Sequence, residues 1–152
     1  MQISKDEYNI HVLHMHWLIA DSINERMKEG RKSKEGLKPL IEDIKALALN
    51  HSYFLSLSVW YSLLYVVIEG YKQLNLNDNK IDQLLAEGKY VDLLRRFRNS
   101  VFHFQEEPLS SKTLDFLEAE ASEVWIRKLN SAFKTFFEEF LPIKEIMEVM
   151  KL

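Results

Sequence analysis

A long stretch without formal charge constrains this chain more than any other feature. Between Lys45 and Glu69 there is no Asp, Glu, Lys or Arg, and the stretch is long enough to span a bilayer. It is interrupted by polar residues, however, and lacks a long run of Leu, Ile and Val. These polar residues are Asn50, His51, Ser52, Ser56, Ser58 and Ser62. We therefore expect a central helix of a soluble, non-membrane protein, apolar on nearly every face and surrounded by other helices.

Composition favours an all-α protein built as one domain, residues 1–152. Four Gly and three Pro supply too little turn chemistry for a many-stranded β fold. The absence of Cys removes disulfides, thiolate metal ligands and Cys nucleophiles, and fits a reducing compartment. The first residues show no basic stretch followed by an apolar one, so we expect no signal peptide.

Five helices are expected from the apolar periodicity and from the turn residues. Asp78 or Asn79 is suited to cap the third helix, Gly88 is expected to end it, and a serine after Pro108 is expected to cap the last. Pro142 is expected to divide that last helix near Leu141. The expected ranges are residues 4–28, 39–73, 80–87, 90–104, and a long helix from about residue 111.

The charges are unevenly distributed in a chain whose net charge is −3. This balance argues against a protein that coats nucleic acid through many phosphate contacts. Residues 89–103 nevertheless contain four Lys or Arg against Asp92 alone, and residues 106–123 contain six acids against Lys112. A local anion-binding patch is therefore compatible with the acidic whole.

The fourth helix separates apolar from basic side chains. At 100° per residue, one arc of about 100° holds an apolar stripe expected to face the core, namely Leu93, Leu94, Phe97, Val101 and Phe104. The opposite arc holds Arg95, Arg96, Arg98, Asn99, Phe102 and His103. Two interpretations follow: a surface that binds an anion or RNA, or a basic face that pairs with the acidic segment after it.

Residues 98–103, Arg-Asn-Ser-Val-Phe-His, resemble the signature of HEPN domains. That signature is an Arg followed after four to six residues by a His, often with a polar residue directly after the Arg, here Asn99. A helix containing residues 60–70 precedes the motif and a long helix follows it, so the similarity covers about residues 41–140. The resemblance implies a HEPN-like antiparallel bundle of about five helices.

The resemblance also implies a metal-independent endoribonuclease that needs no cofactor. His103 would act as general base or acid, Arg98 would stabilise the phosphate, and Asn99 would orient the imidazole ring or a phosphate oxygen. Arg95 and Arg96 would contact the RNA backbone. Such proteins occur in prokaryotic defence and toxin–antitoxin systems, which implies a cytoplasmic location, RNA as substrate, and a cognate antitoxin or other protein partner.

Two other function classes stay open. Many HEPN domains keep the scaffold without the activity, so a non-catalytic RNA- or protein-binding domain is the first alternative. The second is a helical partner-binding protein in which the motif is a coincidence. Cleavage by wild type but not by His103→Ala would separate the enzyme from both.

Assembly and a supporting acid complete the expectations for this site. On an ideal helix Arg98 and His103 point about 140° apart, so one protomer would not bring them together. Resembling proteins dimerise, and Phe102 in the polar arc would suit a homodimer contact. Glu69 would either pair with one of the three arginines or mark the solvated end of the central helix.

His11, His14 and His16 form the remaining polar cluster of interest. A zinc site there would need further ligands, with Asp6 or Asp21 nearby. Helical histidines are more often partly buried side chains, so we expect no metal.

Overall fold

A computed structural model describes residues 5–32, 42–107 and 110–141, with side chains for 5–30, 51–107 and 110–141. This part of the chain is all-α, which confirms the expected fold class. It contains six helices rather than about five. They are α1 (Lys5–Lys32), α2 (Glu42–Gln73), α3 (Asn79–Ala86), α4 (Gly88–Phe102), α5 (Ser111–Leu117) and α6 (Ser122–Phe140).

The charge-free stretch forms most of α2, which packs against α1 and α4. Seven apolar side chains of α2 lie in the core: Trp60, Tyr61, Leu64, Tyr65, Val67, Ile68 and Tyr71. The segment His51–Gln73 is long and apolar enough to cross a membrane by length and composition, and 44% of its most apolar window is buried within the protein. The expected core helix is therefore present, although Leu55 and Val59 remain exposed.

A glycine allows α1 and α2 to approach closely. A Cβ built on Gly70 would lie 2.5 Å from Cδ1 of Leu13, far inside van der Waals contact. Leu13 is itself buried. Only a residue without a side chain fits at this crossing unless Leu13 moves.

The outer face of α1 is unusually apolar. Tyr8, Met15 and Ile19 are each at least half exposed, and Val12 lies between them at helical spacing. The opposite face of α1 supplies Ile10, Trp17 and Ala20 to the core, in addition to Leu13. The described part of α1 thus carries apolar side chains both inward and outward.

The start of α3 confirms the predicted cap. Asp78 Oδ1 accepts hydrogen bonds from the backbone N–H groups of Lys80 and Ile81, both at 2.9 Å. These bonds satisfy donors that a helix start leaves without partners. Gly88 was predicted to end α3, but in the structure it is the first residue of α4. Glu87 alone separates the two helices.

The long last helix that the sequence predicted is divided in two. Ala121 adopts the left-handed conformation with φ 61°, and the chain turns between α5 and α6. For an L-residue other than Gly this conformation costs about 1 to 2 kcal/mol. The break lets Phe116 of α5 enter the core against Tyr61 and Phe97, at ring-centroid distances of 5.6 and 5.7 Å.

Candidate functional site

The core orients α4 so that its polar arc faces outward. Leu94 and Phe97 are completely buried, and the Phe97 ring lies 5.9 Å from that of Tyr61. On the α5 side, the buried Ser100 hydroxyl lies 2.6 Å from the Phe97 carbonyl oxygen and 2.8 Å from Thr113 Oγ1. These contacts fix the rotation of the helix that carries the Arg98–His103 motif.

The end of α4 differs from the prediction. The helix stops at Phe102, and His103 is its C-cap residue with extended backbone (φ −114°, ψ 144°). Phe104, predicted to face the core, is 93% exposed, so that prediction is wrong. The projection at 100° per residue placed Phe104 in the core-facing stripe because it assumed that the helix continues for two more residues. The separation of about 140° between Arg98 and His103 was calculated for an ideal helix, whereas His103 is the C-cap residue, at which the backbone leaves the helical conformation.

Arg98 is held by three neighbours. Its Nη2 donates to Glu69 Oε2 at 3.0 Å, and its Nη1 donates to Asn99 Oδ1 at 3.0 Å. Its guanidinium carbon lies 5.7 Å from the centre of the Tyr65 ring, within the range of a cation–π contact. Of the three partners considered for Glu69, the structure selects Arg98.

Tyr65 is the residue that sequence analysis missed. It is buried under the Arg98 guanidinium, and burial, followed by the nearby Glu69 carboxylate, raises the pKa of its hydroxyl. The available signal was its spacing, because residues four apart on a helix share a face and Tyr65 precedes Glu69 by four. Tyr65 could therefore be assigned to the site only once Arg98 was known to be the partner of Glu69.

The other two arginines of α4 also meet carboxylates. Arg95 donates to Asp92 Oδ1 through Nη2 at 2.8 Å, one turn earlier on the same helix. Arg96 pairs with Asp115 of α5 at 3.0 Å. Asp115 belongs to the acidic segment of residues 106–123, so the pairing interpretation holds for one arginine of three. All four side chains are more than one-third exposed.

The segment after α4 has a defined conformation. The His103 N–H donates to the Asn99 carbonyl oxygen at 3.1 Å. The Gln105 side-chain amide donates to the carbonyl oxygens of both His103 and Phe104, at 3.0 Å each. His103 is exposed and Phe102 is half exposed. These bonds define the backbone at the end of α4, where the exposed side chains of Phe102, His103 and Phe104 are carried.

The structure brings together some of the predicted site residues and leaves others apart. Glu69, Arg98 and Asn99 form one contiguous cluster. Within the described part of the chain, no hydrogen bond joins the His103 ring to either Arg98 or Asn99. The Asn99 side chain instead accepts a hydrogen bond from the Arg98 guanidinium, a contact that differs from the two predicted for it, with the imidazole ring or with a phosphate oxygen.

A groove between α1 and α2 opens beside this cluster. Its volume is about 300 Å³, and Glu69 forms part of its wall together with His16 and Gln73. Its floor is apolar and includes Leu13 and Val66. The Glu69 carboxylate thus stands between the groove and Arg98.

The three histidines of α1 are distributed over different surroundings. The His14 ring packs 5.8 Å from Trp17 and 4.9 Å from Phe137, and burial, with a smaller effect of His11, lowers its pKa. Asp21, considered as a metal ligand, accepts hydrogen bonds from Asn24 and Asn130. Among the residues that the structure describes, no group of three or more His, Asp or Glu is arranged to hold a metal ion.

Comparison with known proteins adds no relative. Neither the protein-family models, nor the curated proteins, nor the solved structures include a match to this chain. The resemblance to HEPN domains accordingly rests on residues 98–103 and on the helices around them.

Proposed function

We propose that this chain is a HEPN-like, metal-independent endoribonuclease that acts on RNA through Arg98 and His103. The observation that supports it is the fixed guanidinium of Arg98. Glu69, Asn99 and Tyr65 hold it on the helix whose end carries the exposed His103. A preset cation can stabilise the charge that develops on a phosphate, and a solvent-accessible imidazole can transfer a proton, so the two groups could together cleave RNA without a metal.

The chemistry balances with these groups. The ribose 2′-oxygen forms a bond to the adjacent phosphorus, the bond from phosphorus to the 5′-oxygen breaks, and a 2′,3′-cyclic phosphate remains. A base takes the 2′-hydroxyl proton and an acid gives a proton to the departing 5′-oxygen. His103 performs one of these transfers, and its copy in the second protomer of the proposed dimer performs the other. Arg98 binds the phosphate oxygens on which charge develops.

The Glu69 carboxylate, which pairs with Arg98, does not prevent a phosphate from binding to the guanidinium. The Arg98 side chain is 28% exposed and that of Glu69 is 45% exposed, so the pair is in contact with solvent. Exposed ion pairs contribute about 0 to 1 kcal/mol. A phosphate group that accepts hydrogen bonds from two guanidinium N–H groups competes with such a pair. Asn99 and Tyr65 continue to hold the guanidinium.

Dimerisation supplies the second half of the proposed site. A two-fold contact near Phe102 would place the motif of one protomer beside its copy, with Arg95 and Arg96 flanking a shared cleft. The half-exposed ring of Phe102 suits such a contact. The resemblance further suggests a cytoplasmic toxin or defence protein that acts with a cognate antitoxin or another protein partner.

Cleavage of single-stranded RNA in the presence of a metal chelator tests the proposal. We expect products ending in 2′,3′-cyclic phosphate, intact DNA, and a loss on the order of a hundredfold or more in rate for His103→Ala. His16→Ala is the matched control, because His16 is also exposed but lies on α1. Equal rates for wild type and His103→Ala would refute the enzyme.

A non-catalytic binding domain is the second candidate, and one observation favours it. Each arginine of the polar arc already pairs with a carboxylate: Arg95 with Asp92, Arg96 with Asp115, and Arg98 with Glu69. Under this alternative no RNA is cut, and Arg96→Ala weakens RNA or partner binding and flattens its dependence on salt.

A further inference from the structure

Phe104 is the most exposed of the large apolar side chains in the described part of the chain. Its exposed fraction is 93%, against 52% for Phe102 and 57% for Phe140. Leaving a phenyl ring in water forgoes about 2 kcal/mol of burial. A ring this exposed, directly after His103 in the sequence, is therefore available to a ligand that would cover it.

The backbone that carries the ring is hydrogen-bonded on both sides of Phe104. Gln105 donates to the carbonyl oxygens of His103 and Phe104, and the His103 N–H is bonded to α4 through Asn99. The helix has already ended at Phe102, so the chain cannot turn Phe104 back into the core-facing stripe. The platform exists before any ligand arrives, which reduces the entropy lost on binding.

The charges around Phe104 indicate which part of a nucleotide would lie there. Glu106 and Glu107 lie two and three residues after Phe104 and are both exposed, so their charges disfavour a phosphate in this part of the surface. A nucleobase is neutral, and every base offers a flat face to an aromatic ring. Arg98, six residues before Phe104 in the sequence, provides the cation that a phosphate needs.

We propose that Phe104 is a stacking platform for one unpaired nucleobase of single-stranded RNA, next to the phosphate bound at Arg98. This inference rests on the proposed function and specifies its substrate class. A base that is paired and stacked within a duplex cannot lie on the ring, so the site selects unpaired nucleotides. Because stacking reads no hydrogen-bonding edge, the site tolerates different bases.

The test measures binding of a single-stranded RNA whose 2′-hydroxyls are methylated, so that cleavage cannot interfere. By fluorescence anisotropy, Phe104→Ala should weaken binding by roughly 5- to 100-fold, the range of one stacked base. Phe104→Trp should retain the affinity, whereas Phe104→Leu, which is apolar but not flat, should lose it. Phe140→Ala, on the last turn of α6, should bind as wild type does.

An abasic nucleotide moved through the same RNA locates the stacked base. At one position it should weaken binding to wild type by the same factor as Phe104→Ala, and it should have no effect on that variant. Elsewhere its effect should be equal for both proteins. Binding of double-stranded RNA should not change on Phe104→Ala.

The outcomes that overturn the inference are distinct. They are absence of RNA binding, equal affinity of Phe104→Ala and wild type, and full affinity of Phe104→Leu. Dissociation of a dimer by Phe104→Ala in light scattering, with RNA binding per protomer unchanged, would instead assign the ring to a protein interface. The ribonuclease proposal fails separately: if His103→Ala cleaves as fast as wild type while the stacking results hold, only the base platform survives.

Discussion

The Glu69 carboxylate and the Arg98 guanidinium meet across 3.0 Å, 29 residues apart in sequence, and join α2 to α4. Glu69 lies at the end of the stretch of α2 that contains no charged residue. The ion pair with Glu69 also neutralises the Arg98 guanidinium, which binds the phosphate in the proposed reaction. Glu69 is therefore a positioning residue, and its removal should affect binding and turnover differently.

Glu69→Gln should separate these two effects. Without the negative charge, RNA affinity should stay equal or rise, because a phosphate no longer competes with a carboxylate. The cleavage rate should fall on the order of tenfold, because a less fixed guanidinium is misplaced in the transition state. Single-turnover cleavage and binding of methylated RNA measure the two quantities.

A matched control for this variant is available on α6. Arg127 pairs with Glu123 at 2.8 Å, another solvent-exposed Arg–Glu contact. Glu123→Gln should change the free energy of unfolding by no more than about 1 kcal/mol, as expected for Glu69→Gln as well. Cleavage by Glu123→Gln should equal that of wild type. A parallel fall in both variants would show that the effect of Glu69 is not local.

Homodimerisation is tested by comparing two exposed apolar residues. If the dimer axis passes near Phe102, Phe102→Glu should give a folded monomer that lacks activity. Met15→Glu, on the apolar outer face of α1, should remain dimeric; the Met15 side chain is 57% exposed. Light scattering distinguishes the species. A dimer that is lost on Met15→Glu but kept on Phe102→Glu would move the interface to α1.

The crossing of α1 and α2 predicts opposite results for two glycines. Gly70→Ala places a methyl group 2.5 Å from Leu13 Cδ1, and overpacking of this kind costs about 1 to 3 kcal/mol. Nothing lies within 4 Å of a Cβ at Gly30, also in a helix, so Gly30→Ala should gain up to about 1 kcal/mol from helix propensity. Urea unfolding gives both values, and a stabilised Gly70→Ala would contradict the predicted cost and show that the Leu13 side chain moves aside easily.

Local chemistry accounts for the parts of the fold that the sequence predicted well. The Asp78 cap and the charge-free core helix depend on neighbouring residues or on composition, and both are present in the structure. The divided last helix was not predictable, because the turn is made by Ala121 and no Gly or Pro marks it. Packing of Phe116 compensates there for an unfavourable backbone conformation.

The site was predictable only to the level of residue types. The motif identified Arg98, Asn99 and His103, but the choice of Glu69 as the partner of Arg98 depends on how α2 and α4 pack. The exposure of Phe104 depends on where α4 ends, and helix ends are the least reliable feature of a sequence-based assignment. Because α4 ends two residues earlier than predicted, the Phe104 ring is exposed instead of facing the core.

A buried tyrosine gives the last prediction, which concerns alkaline pH. The Tyr71 hydroxyl donates to Asp82 Oδ1 at 2.8 Å, and the ring is buried against Phe133 and Phe136. Burial first, and then the hydrogen bond and the charge of Asp82, raise the pKa of Tyr71 well above its ordinary value. Below about pH 10, where an unfolded tyrosine is still protonated, Tyr71→Phe should cost about 1 kcal/mol, the value of one hydrogen bond.

Above about pH 10 the difference between wild type and Tyr71→Phe should shrink. The unfolded state then releases the Tyr71 proton while the folded state retains it, so the wild type loses stability as the pH rises. Phenylalanine has no such proton, and the variant lacks this part of the alkaline loss. Urea unfolding from about pH 8 to pH 11 measures both curves. Asp82→Asn should retain a reduced alkaline loss, because burial is the larger cause of the raised pKa. Parallel curves for wild type and Tyr71→Phe would contradict the assigned shift.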